Sequence, residues 1–496
     1  MIDDASFAQH ACAPAPARRA SPATWIGRCL MLSLALLTGC STVRPWINTP
    51  MAQEQAQVSH VNRTRDPSLV MAVTISGGGA RAAAFGYGVL RALDEVRFDL
   101  NGKDRTLLEA TDLISGVSGG SIVSAYYAAF GREGLPNFEP EFLRKNFQQG
   151  LISLLTHPGS LHELSSPWFG RSNLLQRQLD VLYRGMTYAD VEARPRHPQL
   201  IVTATDLTRG NGFEFTWDQF ALICSDLGQV PLSFAVAASS SVPIVLSPLT
   251  VKNYANQCPA ERRAQVTHAA AAGASGVADY RQRLYRAQLN EYLDASKRPY
   301  IHLVDGGLAD NLGVQRLLDR ALMSGGLRQI FREMEVPPGS VRKVVLVVVN
   351  AERDPTRNLD LSDQVPGIFD VADALLFGTG ARATLETQEY LQDVMQTWHR
   401  EAQHRGRTAG ADVFAPDAEI HVITVNLRDV SVDRRPRLLQ VETAFSIPDG
   451  EVTELIAAGR DVLRASPDFK RLVQSLGARI EAADAVPAGP AAERID

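Results

Sequence analysis

Cysteine, aromatic residues and net charge are all scarce in this chain, and each scarcity removes a class of function. Five cysteines are spread over 496 residues with no C-x-x-C pair, and no H-E-x-x-H signature occurs. Neither of those metal-site spacings is available, so no metal is expected. Aromatic residues make up 7%, and the formal net charge is -5 with no Lys/Arg run of five or more. A chain without a basic stripe has little hold on phosphate backbones, so nucleic acid is not an expected partner. No G-x-x-x-x-G-K-[ST] occurs, and G-x-G-x-x-G fails because the sixth position counted from Gly77 is Ala82. Phosphate-cradling nucleotide sites go with those motifs, and no cofactor is expected. No apolar run approaches the roughly 20 residues that cross a bilayer as a helix.

Apolar material is nevertheless ample: 45% of residues are hydrophobic and 21% charged, the balance of a chain with a packed core. Length alone would admit about three domains of roughly 150 residues, yet one main domain is expected. Near the N-terminus Arg18, Arg19 and Arg28 precede the apolar run Cys29 to Leu37, followed by Leu37-Thr38-Gly39-Cys40. Charged, apolar and small residues in that order read as an export signal. The last four residues resemble the lipobox of bacterial lipoproteins. That resemblance implies cleavage before Cys40, an acyl anchor on its sulfur and, with Ser41 next in line, a place in the bacterial cell envelope as an outer membrane lipoprotein facing the periplasm. Cys12 and Cys29 would leave with the signal, and Cys224 and Cys258 would remain as a disulfide candidate, two independent buried thiols being the alternative. Residues 40–68 are polar and aperiodic, as expected of a tether.

Order is expected from about Leu69. Leu69 to Ile75 is a buried-strand run, Ser76-Gly77-Gly78-Gly79 breaks it, and Ala80 to Val96 has helical spacing. A second unit repeats the pattern: a strand over Ala110 to Ser115, the turn Gly116-Val117-Ser118-Gly119-Gly120, and a helix over Ser121 to Phe130. Further strands are expected at Gln199 to Thr205, Tyr300 to Val304, Val341 to Asn350 and Glu419 to Leu427. Strands alternating with helices argue for an α/β fold, a three-layer α/β/α sandwich around a mostly parallel sheet. The chain divides into a signal (1–39), a tether (40–68), a catalytic domain (69–330) with an insertion at 255–299, an α/β extension packed on the same domain (331–481) and a flexible tail (482–496).

Gly116 to Gly120 reads G-x-S-x-G between a strand and a helix, the context a nucleophile elbow needs. Ser118 would stand at the apex of a strained turn, with Gly116 and Gly120 letting the two backbones pass closely. The amides of Gly77, Gly78 and Gly79, beside Arg81, offer donors for a tetrahedral oxyanion. Asp305, followed by Gly306 and Gly307, sits at the end of an apolar strand, where α/β sheets build their sites. A buried aspartate bonded to a serine can take its proton directly if desolvation raises its pKa.

Taken together, the glycine loop with Arg81, the G-x-S-x-G serine, Ala204-Thr205-Asp206-Leu207, Ala237 to Pro243 and Asp305-Gly306-Gly307 resemble the patatin-like phospholipase family, over about Val70 to Val314. The resemblance implies Ser118 as nucleophile, Asp305 as its base, Gly77 to Gly79 with Arg81 as oxyanion loop, and acyl-ester hydrolysis on a membrane lipid or acyl-ester substrate without a metal. Ala82 departs from the family, where glycine commonly follows the arginine. Two other readings stand beside it: a Ser-His-Asp triad using His399, His404 or His421, and a non-catalytic envelope-anchored binding module. Residues 147–164, apolar at Leu151 to Leu155, read either as a lid or as a core helix. The sequence identifies no protein partner.

Overall fold

The computed structural model describes residues 41–52, 66–259, 280–353, 363–367, 371, 374, 379–403 and 412–481. The signal segment, Cys40, His404, residues 260–279 of the insertion and the tail 482–496 lie outside the described residues. The elements that matter below are β1 (Leu69–Ile75), α1 (Gly79–Asp94), β2 (Val96–Leu100), β3 (Lys103–Thr106), β4 (Leu113–Val117), α2 (Gly119–Gly134), α3 (Phe147–Thr156), α4 (Pro158–Leu164), α5 (Arg171–Tyr183), β5 (Gln199–Asp206), β6 (Gly212–Phe215), α6 (Leu232–Ser239), β7 (Leu249–Lys252), α7 (Tyr280–Asn290), β8 (Tyr300–Val304), β9 (Val341–Asn350), α8 (Thr379–Gln403), β10 (Phe414–Asn426), α9 (Asp449–Ala465) and β11 (Arg479–Ile480).

Eight strands form one sheet in the order β10-β9-β1-β4-β5-β8-β7, with β6 also on β5. The pairs from β10 through to β5 are parallel. β6, β7 and β8 join antiparallel. Side chains alternate across the sheet, as the two-residue period of a strand requires. Met71, Val73 and Ile75 of β1 and Val345, Val347 and Val349 of β9 enter the main core. Val344, Leu346 and Val348 enter a second core with Leu391 and Trp398 of α8. Both faces are therefore covered, which explains why β9 is continuously apolar from Val344 to Val349 rather than alternating. The architecture is the three-layer α/β/α sandwich expected, with a mixed sheet whose centre is parallel.

The differences from expectation are local. β4 starts later than Ala110 because turn side chains are committed elsewhere: Thr111 Oγ1 donates to Leu107 O at 3.3 Å, and Asp112 Oδ2 accepts the Met71 N–H at 2.8 Å. Five short antiparallel strands, β2, β3, β6, β7 and β11, were not expected; β3 is Lys-Asp-Arg-Thr, with no apolar period to reveal it. The boundary at 330 cuts a single sheet, since β9 pairs with β1 along its whole length. On the main-core face α9 crosses α1 so closely that a Cβ on Gly88 would lie 2.1 Å from Ile456 O. The insertion is only partly separate: Tyr292 is fully buried, and its hydroxyl and Arg298 Nη2 both donate to Asp206 Oδ2, at 2.9 and 2.6 Å.

The largest correction concerns the tether, because residues 41–52 lie against the body. Asn48 is completely buried, donates to Ser225 Oγ at 2.8 Å and Lys252 O at 2.9 Å, and accepts the Lys252 N–H at 2.7 Å. Met51 N–H donates to Cys224 O at 2.9 Å, and Trp46 packs on Phe234 with centroids 4.5 Å apart. Proline and asparagine hid this strap, because its partners are backbone groups of a distant edge rather than a periodic apolar face.

Cys224 and Cys258, 34 positions apart, are joined in a disulfide with a Cα–Cα distance of 5.5 Å. It closes a loop that includes β7 and the surface under the strap. Cys224→Ser with Cys258→Ser should lower unfolding free energy by about 3 to 4 kcal/mol in denaturant titration, the loop-closure value for that length.

Candidate active site

β4 ends at Val117 and α2 begins at Gly119, so Ser118 alone makes the turn. Its backbone stands at φ 48°, ψ -122°, a left-handed conformation that a β-carbon makes costly. The surroundings over-determine it. Ser118 N–H donates to Ser239 Oγ at 2.8 Å, Ser239 Oγ donates to Thr203 O at 2.6 Å, and Ser121 Oγ donates to Ser118 O at 2.6 Å. Gly120 has no room for a side chain: a Cβ there would lie 2.3 Å from Ile75 O.

Ser118 Oγ donates to Asp305 Oδ2 at 2.8 Å. The aspartate arrives from β8, which pairs with β5 antiparallel through Thr205↔Val304 and Asp206↔Leu303. Its place is therefore not the carboxyl edge of a parallel strand. The chain leaving β8 instead runs back along β5, putting Gly306 against Thr203 O, level with Val117, whose partner is Thr203. Asp305 Oδ1 accepts the Gly307 N–H at 2.8 Å, and Asp305 N–H donates to Ser241 O at 2.9 Å. Burial pushes the carboxyl pKa up to about 6, against the pull of the Gly307 amide and the Ser118 hydroxyl.

The glycine loop lies beside Ser118. Gly77 N–H is already engaged, donating to Asn311 O at 3.0 Å, and Ala80 N–H donates to Ala444 O at 2.7 Å. Between them Gly78 (φ 139°) and Gly79 (φ 60°) carry the turn, and their amides have no acceptor among the described residues. Arg81 is buried and turned to the C-terminal part of the chain. Its Nε donates to Ala351 O at 2.9 Å, and its Nη1 donates to Val441 O at 2.6 Å and Thr443 Oγ1 at 3.2 Å. Burial, with Arg353 nearby, lowers its pKa to about 9. Arg81 therefore fixes the loop rather than presenting a free charge.

Ser118, Asp305 and the loop open into one cleft, bordered by apolar Val242, Pro243 and Leu308 and by polar Asn311, Glu352 and Arg353. Burial pushes the Glu352 carboxyl up to about 7, while Arg428 and Arg81 hold it down. Sequence reasoning missed Asn311, Glu352 and the support given by Ser239, since no spacing ties them to the serine. Of the histidines read as possible bases, His399 and His421 stand apart from the cleft, and His404 lies outside the described residues. His399 Nδ1 donates to Met395 O at 2.8 Å on the exposed side of α8, and His421 Nε2 pairs with Glu419 Oε2 at 3.0 Å. Residues 147–164 border no part of it either; Phe147 and Leu151 are buried in the main core with Leu154 and Leu155 packed against it, so α3 is a surface helix with one face on the core.

Residues 73–318 match the family model described as patatin-like phospholipase. The chain carries a patatin-like phospholipase domain. No curated protein sequence matches the chain. Solved structures that resemble it include human GIVD cytosolic phospholipase A2, at 12% identity and TM-score 0.41, covering 83% of this chain and 63% of that one. VipD from Legionella pneumophila matches at 12% identity and TM-score 0.30, with 83% and 67% covered. The chain thus spans about 63% of the length of the human enzyme. At such identities and scores the likeness carries no argument about activity.

Because burial raises the folded-state pKa of Asp305, folding favours its protonated form, and ionising it between about pH 4 and pH 6 costs stability. Asp305→Asn keeps an acceptor for Gly307 and removes that cost. The melting temperature of the variant should therefore rise relative to wild type as pH is raised from about 4 to 7. The shift to about 6 caps the difference near 3 kcal/mol.

Proposed function

We propose that the protein is a serine acyl-ester hydrolase of membrane lipids working through a Ser118/Asp305 dyad. The observation that carries the reading is the 2.8 Å bond from Ser118 Oγ to Asp305 Oδ2 at the apex of a strained elbow. Asp305 takes the hydroxyl proton as Oγ attacks the ester carbonyl, and the amides of Gly78 and Gly79 receive the developing oxyanion. Protonated Asp305 then returns the proton to the leaving alcohol, giving an acyl-serine. Water, deprotonated by the same carboxylate, releases the fatty acid. Each oxyanion donor is typically worth about 100- to 1,000-fold in rate, so two backbone amides supply much of the acceleration. A carboxyl with a pKa of about 6 is ionised at neutral pH, yet is a stronger base than an ordinary aspartate. Val242, Pro243 and Leu308 give the cleft an apolar wall suited to an acyl chain. In the same reading Cys40 is acylated and holds the protein in the cell envelope, as an outer membrane lipoprotein.

Ser118→Ala and Asp305→Asn should each reduce ester hydrolysis to background in a lipid-panel assay with the fold retained by circular dichroism. Near wild-type turnover in Asp305→Asn would overturn the dyad. For the wild type, kcat/KM should fall below about pH 6 as Asp305 gains a proton. Labelled fatty acid fed to producing cells should appear on the protein and vanish in Cys40→Ser; an unlabelled wild-type chain would remove the anchor.

A further inference from the structure

A continuous run of contacts leads from the proposed anchor to the mouth of the cleft. Ser41, next to Cys40, is buried and donates its N–H to Ser165 Oγ at 3.0 Å. Ser166 Oγ donates to Val43 O at 2.7 Å, and the Arg44 guanidinium lies 4.1 Å from the centre of the Trp168 ring. Just beyond, Arg171 Nη2 donates to Ile244 O at 2.8 Å, and Ile244 follows Pro243 in the cleft wall.

Along this path large apolar side chains face water. Leu161 is 56% exposed, Trp168 48%, Ile244 58% and Val245 64%. Ile244 is the most informative, because its φ is 74°. A β-branched residue in the left-handed region is strained, and here the strain delivers the side chain to solvent rather than to a core. Packing gives no reason for it. Arg44 and Arg171 flank the apolar side chains, and tryptophan beside arginine suits the boundary where acyl chains meet headgroups.

We propose that Leu161, Trp168, Ile244 and Val245 enter the lipid leaflet that holds the Cys40 acyl chain, so that the cleft draws its substrate from that same leaflet. The inference rests on the anchored-hydrolase reading above and adds to it a surface and a direction. A slack tether would let the body turn freely at the end of the anchor. The strap forbids this, since Asn48 pins residues 41–52 to β7 and to the Ser225 hydroxyl from inside the fold. A lipid leaflet is the occupant that matches both the anchor one residue from Ser41 and an apolar surface rimmed with arginine.

The test uses the mature chain from residue 40 carrying Cys40→Ser, so that the surface acts with neither the anchor nor the apolar signal segment. It should co-sediment with mixed phosphatidylethanolamine and phosphatidylglycerol vesicles. Leu161→Asp with Trp168→Asp should lower that partition, and hydrolysis of vesicle lipid, at least tenfold, while hydrolysis of monomeric p-nitrophenyl butyrate is unchanged. Ile244→Gly should raise the melting temperature by relieving the strain and still lower vesicle partition, which keeps the test open if the charged pair unfolds the chain. Unchanged partition in both variants overturns the proposal, as does an equal loss on the monomeric ester. A dimer in gel filtration that the Asp substitutions dissociate would assign the surface to a second copy instead. Absence of all ester hydrolysis in the wild type would sink the hydrolase reading while leaving co-sedimentation to judge the surface.

Discussion

A carboxyl group buried within hydrogen-bond reach of a serine hydroxyl sets the terms for everything around it. Asp305 is buried, and one amide and one hydroxyl are its hydrogen-bond donors, too few to offset full desolvation of an anion. Its raised pKa is the visible sign of that cost, and it has company. Asp310, five positions on, is pushed to about 7 by burial, and Glu352 across the cleft also stands near 7. At neutral pH Asp305 is therefore largely ionised, while Asp310 and Glu352 stand close to half protonation.

The second constraint is that the domain recognised by family resemblance is not the unit that folds. The match ends at 318, yet β9 lies between β1 and β10 in the sheet, and Arg81 ends its side chain on Ala351, Val441 and Thr443. Ala444 O accepts from Ala80, at the first turn of the helix that follows the glycine loop. The geometry of that loop thus depends on residues some 360 positions away.

How much of this was legible follows from what a sequence pattern can carry. β1, β8 and β9 were readable to the residue because each is dominated by apolar, largely β-branched residues and flanked by turn-forming ones. The serine and the aspartate were readable because each sits in a glycine-bounded turn after such a run. Ser239 and Asn311 were not, since their roles lie in backbone bonds to Ser118 and Gly77 that no spacing announces. The direction of β8 was also hidden: a strand of five residues has no polarity in its composition, so the route by which Asp305 reaches the serine needed the register with β5. The strap failed for the opposite reason, because residues typical of linkers made specific bonds to a sheet edge.

The segment from Ser239 to Ile244 ties these threads together. Ser239 Oγ holds the Ser118 amide, Ser241 O holds the Asp305 amide, Val242 and Pro243 line the cleft, and Ile244 carries its side chain out to solvent. Six consecutive residues therefore position nucleophile, base, wall and mouth. A strained φ stands at each end of this support, at Ser118 and at Ile244. Strain of order 1 to 3 kcal/mol at each point survives only where the surroundings leave the chain no alternative. Here α6 supplies that rigidity: Ser241 Oγ donates back to Ala237 O at 2.6 Å, and α6 packs along α5 and β5 under full burial. The same rigidity has a consequence for chemistry. Because the wall formed by Val242 and Pro243 is continuous with the groups that hold Ser118 and Asp305, an acyl chain seated against it, in the reading proposed above, would be registered to that pair by covalent structure.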